Sequence, residues 1–270
     1  MRSPRHRFCR AGTCIRRKSY NILRPGLAFR TEKPRTFKKQ DAIAGDKAYN
    51  KRCGTVPEGT DRPVNELQKE VPGNMNYYIS DLHLFHEASI RFDERPFQNL
   101  EEMHTEIVKR WNNKVTNGDT VYIAGDMSMR GKNEDLIALV AILKGKKVLI
   151  RGNHDDVSDL RYRQLFSEIC DYKEIRDSIA GKSYDLVICH YPIFSWKHMS
   201  RGTILLYGHT HNSPEDAYFQ KCLAQMRESD CRHISDKPVQ AYNVGCMKPW
   251  MDYEPRSLQE IMVLSKNVEK

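Results

Sequence analysis

The sequence has no long apolar run. Nothing in it approaches the roughly 20 consecutive apolar residues that span a bilayer, so a membrane-spanning chain is excluded. A secretory leader is not expected either: the first residues are basic, but no apolar stretch follows them. None of the eight cysteines (Cys9, Cys14, Cys53, Cys170, Cys189, Cys222, Cys231 and Cys246) forms a C-x-x-C pair. Their irregular spacing argues against a zinc ribbon and for reduced thiols in the cytoplasm. Acidic residues are missing before Glu32, and only 39% of residues are hydrophobic against 29% charged. That balance points to a polar segment joined to an ordinary domain.

The charge of +9 is unevenly placed. Residues 1–74 hold 18 Lys/Arg against 7 Asp/Glu, whereas residues 75–270 hold 26 against 28. The basicity therefore belongs to the N-terminal segment and is no nucleic-acid signal for the whole chain. Residues 1–74 show no sustained period and only scattered apolar positions, so a largely disordered extension is expected there. Three readings of it stand: an Arg-rich targeting peptide, a basic arm that holds phosphates, or an adventitious extension with Met75 as the natural start. We favour the last, or plain disorder.

From Asn76 the texture changes. Short apolar strands are expected at Asn76–Ser80, Val121–Ala124, Val148–Ile150, Leu186–Cys189, Ile204–Tyr207 and Gln240–Val244. Helices are expected at Leu100–Val115, Leu136–Leu143, Val157–Phe166, Glu215–Arg227 and Ser257–Ser265. Strands alternating with helices argue for an α/β domain over residues 75–270. Five strands in succession end in a candidate metal ligand or in a glycine that leads to one. Ligands bind outside the carboxyl ends of strands in such sheets, and five such endings are hard to explain by packing.

Each ending has its own chemistry. Asp81-Leu82-His83 alternates along the backbone, so a carboxylate and an imidazole share one side. Gly125-Asp126 offers a tight turn and a carboxylate whose two oxygens can bridge two cations. Gly152-Asn153-His154-Asp155 supplies a neutral amide ligand, then a histidine beside the metal rather than on it. His154 suits a general acid, with Asp155 orienting its ring. His190 and Gly208-His209-Thr210-His211 add three imidazoles. Taken singly, D-x-H, G-D and the lone His190 are read as well by turns and surface or structural histidines. Together they make seven ligands: Asp81, His83, Asp126, Asn153, His190, His209 and His211. A single zinc needs three or four, so the surplus argues for two ions. Mixed nitrogen and oxygen donors suit Mn, Fe, Zn or Ni over Ca or Mg, with Mn favoured. Such a pair can activate water and clamp a phosphoryl oxygen.

In that order the motifs resemble the calcineurin-like metallophosphoesterase superfamily. Finer details are similar to a small bacterial and phage branch: Tyr78-Ile-Ser-Asp-Leu-His, Ile90-Arg-Phe-Asp, Arg95-Pro-Phe, Gly118-Asp-Thr-Val-Tyr, Leu143-Lys-Gly-Lys-Lys-Val, His190-Tyr-Pro-Ile and Asn243-Val-Gly-Cys. The resemblance covers about residues 76–264. It implies two packed mixed β-sheets flanked by helices. It implies that Asp81, His83 and His211 bind one metal, that Asn153, His190 and His209 bind the other, and that Asp126 bridges them. It implies further that His154, assisted by Asp155, protonates the leaving oxygen. Met127 stands where another apolar or aromatic residue is expected, at no cost to catalysis. The stretch between His211 and Asn243 is a candidate cap, and His86, Arg91, Arg151, Lys197 and Tyr207 are candidate phosphate or leaving-group contacts.

The sequence thus points to a hydrolase of phosphomonoesters or phosphodiesters, with a small phosphoester as substrate and a nucleotide among the candidates. The alternatives are a nuclease acting on DNA or RNA, motivated by the basic N-terminus, and a non-catalytic scaffold, disfavoured by the presence of His154. Oligomeric state is not legible.

Overall fold

The computed structural model describes residues 74–129, 134–228 and 237–268. The expected basic extension, residues 1–74, lies outside the described residues except for Asn74. Among the described residues no helix is long and apolar enough to cross a membrane. The four described cysteines, Cys170, Cys189, Cys222 and Cys246, are unpaired.

The first sheet consists of β1 (Asn76–Ile79), β2 (Thr120–Ile123), β3 (Lys146–Ile150) and β4 (Glu168–Cys170) in that spatial order. The pairings among these four strands are parallel, and an isolated antiparallel bridge joins Tyr78 of β1 to Arg256. The second sheet holds β5 (Tyr172–Ile179), β6 (Lys182–Cys189), β7 (Ile204–Tyr207) and β8 (Gln240–Asn243), with β5 antiparallel to β6 and the others parallel. Alternation along β6 and β7 divides their side chains between two cores. Leu186, Ile188, Ile204 and Leu206 join the core shared with the first sheet. Val187, Cys189, Leu205 and Tyr207 face the other way, toward Leu223 and Phe219 of the helix Pro214–Glu228.

The helices are α1 (Ala88–Phe92), α2 (Leu100–Lys114), α3 (Glu134–Ala141), α4 (Leu160–Arg163), α5 (Pro214–Glu228) and α6 (Leu258–Val268). Asn99 caps α2 by accepting from the Glu102 N–H at 2.9 Å, and Glu101 and Glu102 meet the positive end of the helix. Met103, Ile107 and Trp111, spaced by four, are fully buried, each contributing about 1.5–3 kcal/mol. Ser257 and Glu260 form a capping box before α6: Ser257 N–H donates to Glu260 and Glu260 N–H to Ser257 Oγ.

Two sequence expectations need correction here. The helix expected at Val157–Phe166 shrinks to one turn. Asp156 takes the Ser158 N–H in a local turn, and Asp159 accepts the Arg161 N–H as the cap of α4, so the helix starts only at Leu160. Strands β4 and β5 were not expected, and β6 begins four residues before the expected Leu186. On the inward side β5 carries only Ile175 and Ile179 as apolar residues, too weak an alternation to stand out. Its eight-residue ladder with β6 is closed by Ala180-Gly181, both at positive φ (47° and 79°), as a two-residue hairpin turn requires.

The loop after β1 is fixed from α2. His104 Nε2 accepts the Phe85 N–H at 3.0 Å. Burial pushes His104 down from 6.5 to about 4, so the folded ring stays neutral while the unfolded ring protonates. The unfolded chain binds more protons between these values, and stability falls as pH drops from about 6.5 toward 4. We expect His104→Gln, which keeps an acceptor for Phe85, to show a smaller loss of denaturant midpoint between pH 7 and pH 4. An identical pH dependence in both proteins would refute this.

Candidate metal centre

The carboxyl ends of five strands converge. β1 runs into Asp81 and His83, β2 into Asp126, β3 into Asn153, β6 into His190 and β7 into His209 and His211. These five are not successive strands, because β4 and β5 intervene between β3 and β6.

Asp81, His83 and His211 place ligand atoms within 4.8 Å of one another, and Asp126, His190 and His209 do the same. Asp126, a member of the second triad, also reaches the first: its Oδ2 is 3.7 Å from His83 Nε2 and 3.5 Å from His190 Nε2. Asn153 Oδ1 faces the second triad, 3.0 Å from His190 Nε2 and 2.9 Å from His209 Nδ1. His83 Nε2 and His211 Nε2 are 3.2 Å apart.

The donor set fits cations. Asp81 and Asp126 are buried (0% and 2% exposed), yet no Lys or Arg side chain among the described residues pairs with either carboxylate. Asp81 accepts from Ser80 Oγ and the His209 N–H; Asp126 accepts the His154 N–H. Buried carboxylates without a cation are costly. Burial raises Asp81 above the ordinary carboxylate range, against the pull of His211 and His190. Burial, reinforced by His211 and Arg95, drives His83 down to about 2, so its ring is an uncharged donor. Its Nδ1 is buried without a hydrogen-bond partner. Burial also lowers His209. For His211 burial acts downward, but the Asp93 hydrogen bond and the Asp81 charge outweigh it and raise the imidazole.

The backbone carries strain where the ligands sit. Asp81, His83, Asp126, His209 and His211 all have φ between 48° and 69°. Left-handed conformations are uncommon for residues other than glycine, and strained ones cost of order 1–3 kcal/mol each. Five in one cluster mark a site whose geometry the surrounding fold enforces. Glycines make the room: a methyl on Gly152 would strike Asp126 Oδ1, one on Gly208 would strike Asp81 Oδ2, and one on Gly125 would strike His190 Nδ1.

A second layer holds the first, and sequence reasoning assigned it no role. Asp93 Oδ1 accepts from His211 Nδ1 at 2.6 Å, and its Oδ2 accepts from Arg95 Nε and Nη2. Arg95, itself buried, also donates to the carbonyls of Asp81 and Leu82. Cys246 Sγ donates to the Asp81 carbonyl, and burial raises that thiol to about 12. Asn243 donates to Thr210 Oγ1 and the His211 carbonyl, and Asp216 gathers Tyr207, Thr210, Asn243 and Lys248 beneath the His209–His211 turn. The only sequence signal was that Asp93, Arg95, Asn243 and Cys246 sit in the finer motifs.

The expected role of Asp155 is replaced by another. Its carboxylate accepts the N–H groups of Gly152, Asp126 and Met127 at 2.8–2.9 Å, which fixes the turn that presents Asp126. It makes no hydrogen bond to the His154 ring among the described residues. Burial raises Asp155 to about 6, against the Gly152 hydrogen bond and with the Asp126 charge. Met127 is fully buried.

A cleft of about 770 Å³ opens over these residues, with His154, His86 and Phe92 in its wall. Among the candidate substrate contacts, only His86 lines it. Arg151 is paired with Asp171, Lys197 with Glu174, and the buried Tyr207 hydroxyl donates to Asp216. Arg91 is exposed outside the wall. Of the stretch expected as a cap, Asn212, Ser213, Pro214 and Glu215 line the cleft; residues 229–236 lie outside the described ones.

Comparison with known proteins settles the family. The family model for calcineurin-like phosphoesterases matches residues 77–221. The chain belongs to this family. It is thus a metal-dependent hydrolase of phosphoester bonds, and its two candidate ligand clusters lie at the strand ends described above. An uncharacterized protein of Methanocaldococcus jannaschii is 34% identical over 143 residues, 53% of this phosphoesterase and 72% of the relative. The gene 66 protein of Mycobacterium phage L5 is 28% identical over 160 residues, 50% of this chain and 77% of that protein. A solved structure from Aquifex aeolicus, described as a protein of unknown function, superposes with a TM-score of 0.51 at 25% identity, covering 71% of this chain and 99% of its own.

Proposed function

We propose that this phosphoesterase works through a dinuclear centre and hydrolyses a small phosphomonoester or phosphodiester. Asp81, His83 and His211 would hold one divalent cation and Asn153, His190 and His209 the other, with Asp126 shared. The observation that carries this reading is Asp126, a buried carboxylate of one ligand triad that also reaches His83 of the other, with no Lys or Arg among the described residues to neutralise it. When bound, two such cations lower the pKa of a water and stabilise charge on phosphoryl oxygens.

The chain's own residues do the rest. His154 stands in the cleft wall, its ring centroid 5.6 Å from that of His83, where it would protonate the departing oxygen. Asp155 acts as a positioning residue for the Asp126 turn. Asp93 acts likewise on His211: it accepts from Nδ1 and so leaves Nε2 with a free lone pair. His190 is oriented in the same way, with Nδ1 2.8 Å from the Ala124 carbonyl.

The test is metal analysis beside a substrate panel. Purified full-length protein should contain up to two divalent ions per chain, drawn from Mn, Fe, Zn or Ni with Mn preferred. It should hydrolyse p-nitrophenyl phosphate, bis-p-nitrophenyl phosphate or a nucleotide. Metal-loaded protein that cleaves none of these would remove the reading, and a single ion per chain at saturation would remove the dinuclear centre.

A further inference from the structure

The cleft is larger than a phosphoryl group needs. At about 770 Å³ it falls in the range of pockets that enclose whole small molecules. Its composition restricts what else it holds. On the side of His83 and His211 the wall is aromatic. The Phe92 ring lies 5.6 Å from the His211 ring, 5.6 Å from His86 and 6.2 Å from His83. Phe92 is 54% exposed and belongs to neither hydrophobic core. An isolated surface phenylalanine needs no explanation, but this one stands beside the proposed ligands at the end of α1, where a planar group bound next to a phosphate would meet it.

Two further features point to a ligand there. His86 Nδ1, in the same wall, is buried without a hydrogen-bond partner. Glu94 and Glu215 line the cleft, both exposed, and neither side chain makes a hydrogen bond or ion pair with another described residue. No Lys or Arg lines the cleft among the described residues. Beyond the ligand clusters, a wall with two carboxylates and no Lys or Arg repels additional phosphates. It accepts hydrogen bonds, and a nucleobase offers N–H donors at its edge and a face for stacking.

We propose that the cleft takes a nucleotide carrying a single phosphate, with its base stacked on Phe92 and the N–H groups of the base donated to Glu94 or Glu215. Nucleoside triphosphates and oligonucleotides are then poor substrates. This rests on the phosphoesterase reading above and narrows its substrate.

The experiment uses the full chain loaded with Mn²⁺. It compares kcat/KM for guanosine and cytidine monophosphates and their cyclic diesters with glycerol phosphate, ATP and a short oligonucleotide. The single-phosphate nucleotides should be preferred. Phe92→Leu keeps apolar volume but removes the planar face, so it should lower the preference for nucleotide over glycerol phosphate by on the order of 10-fold, chiefly through KM. Phe92→Tyr should restore it. The proposal is overturned if wild type cleaves ATP or the oligonucleotide as well as a mononucleotide, or if Phe92→Leu keeps the wild-type preference. If wild type cleaves no phosphoester at all, the earlier reading has failed instead.

Discussion

Replacing His154 by alanine is expected to lower kcat by about 10²–10⁴-fold, the usual range for losing a positioned general acid. Metal content should not change. The contact of His154 with Asp126 is made by its backbone N–H at 2.9 Å, and alanine retains that group. The ring itself makes no hydrogen bond to a ligand residue among the described residues, so its removal leaves the ligand triads intact. The loss should depend on the leaving group. A p-nitrophenolate departs without help and should lose little, whereas an alkoxide needs the proton and should lose most. Measuring both substrate types on the same metal-loaded preparation separates acid catalysis from general damage. Equal activity of variant and wild type on an alkyl ester would end the general-acid assignment and revive a non-catalytic role.

An Asp93→Asn substitution should act on metal binding rather than on proton transfer. Asp93 and Arg95 are 7% and 4% exposed, and their ion pair ends on His211 Nδ1 at one side and on the Asp81 carbonyl at the other. Asparagine removes the charge that holds the His211 tautomer and leaves Arg95 buried without an anion. Loss of such an outer partner costs about 10–100-fold in metal affinity, and breaking a buried pair by removing one partner costs about 3–5 kcal/mol of stability. The two triads differ here, because His211 is the one candidate ligand among the described residues that Asp93 hydrogen-bonds. Titration of metal-free variant should therefore show one subsite weakened and the other near its wild-type affinity, with a lower unfolding midpoint. Affinities unchanged at both subsites would show that the Asp93–His211 bond is incidental.

What was readable in the sequence follows from how local each signal is. β7 is found where Ile204–Tyr207 was expected, and α2 differs by one residue, because an apolar run and a stripe at spacings of three and four need no distant partner. The hairpin of β5 and β6 was not readable. Lys173, Glu174, Arg176 and Asp177 dominate it, and what holds it is pairing across the sheet and the bond from Tyr78 to Asp177 99 residues away. The helix expected from Val157 onward failed for the opposite reason, since a local turn at Asp156 and the cap at Asp159 delay its start to Leu160.

The site divides the same way. Residue types and spacing singled out Asp81, His83, Asp126, Asn153, His190, His209 and His211 as candidates, because metal chemistry restricts ligands to few side chains and strand ends are the places that free them; the fold brings six of them into two clusters. Sequence could not show that Asp155 spends its carboxylate on backbone amides, or that Asp93 and Arg95 brace His211 and Asp81. Those roles depend on which atoms lie within about 3 Å across gaps of up to 118 positions. Nor does sequence reveal that five ligands sit at positive φ. Side-chain identity is written in the chain, but the strained backbone and the hydrogen bonds that aim each donor exist only once the two sheets have packed.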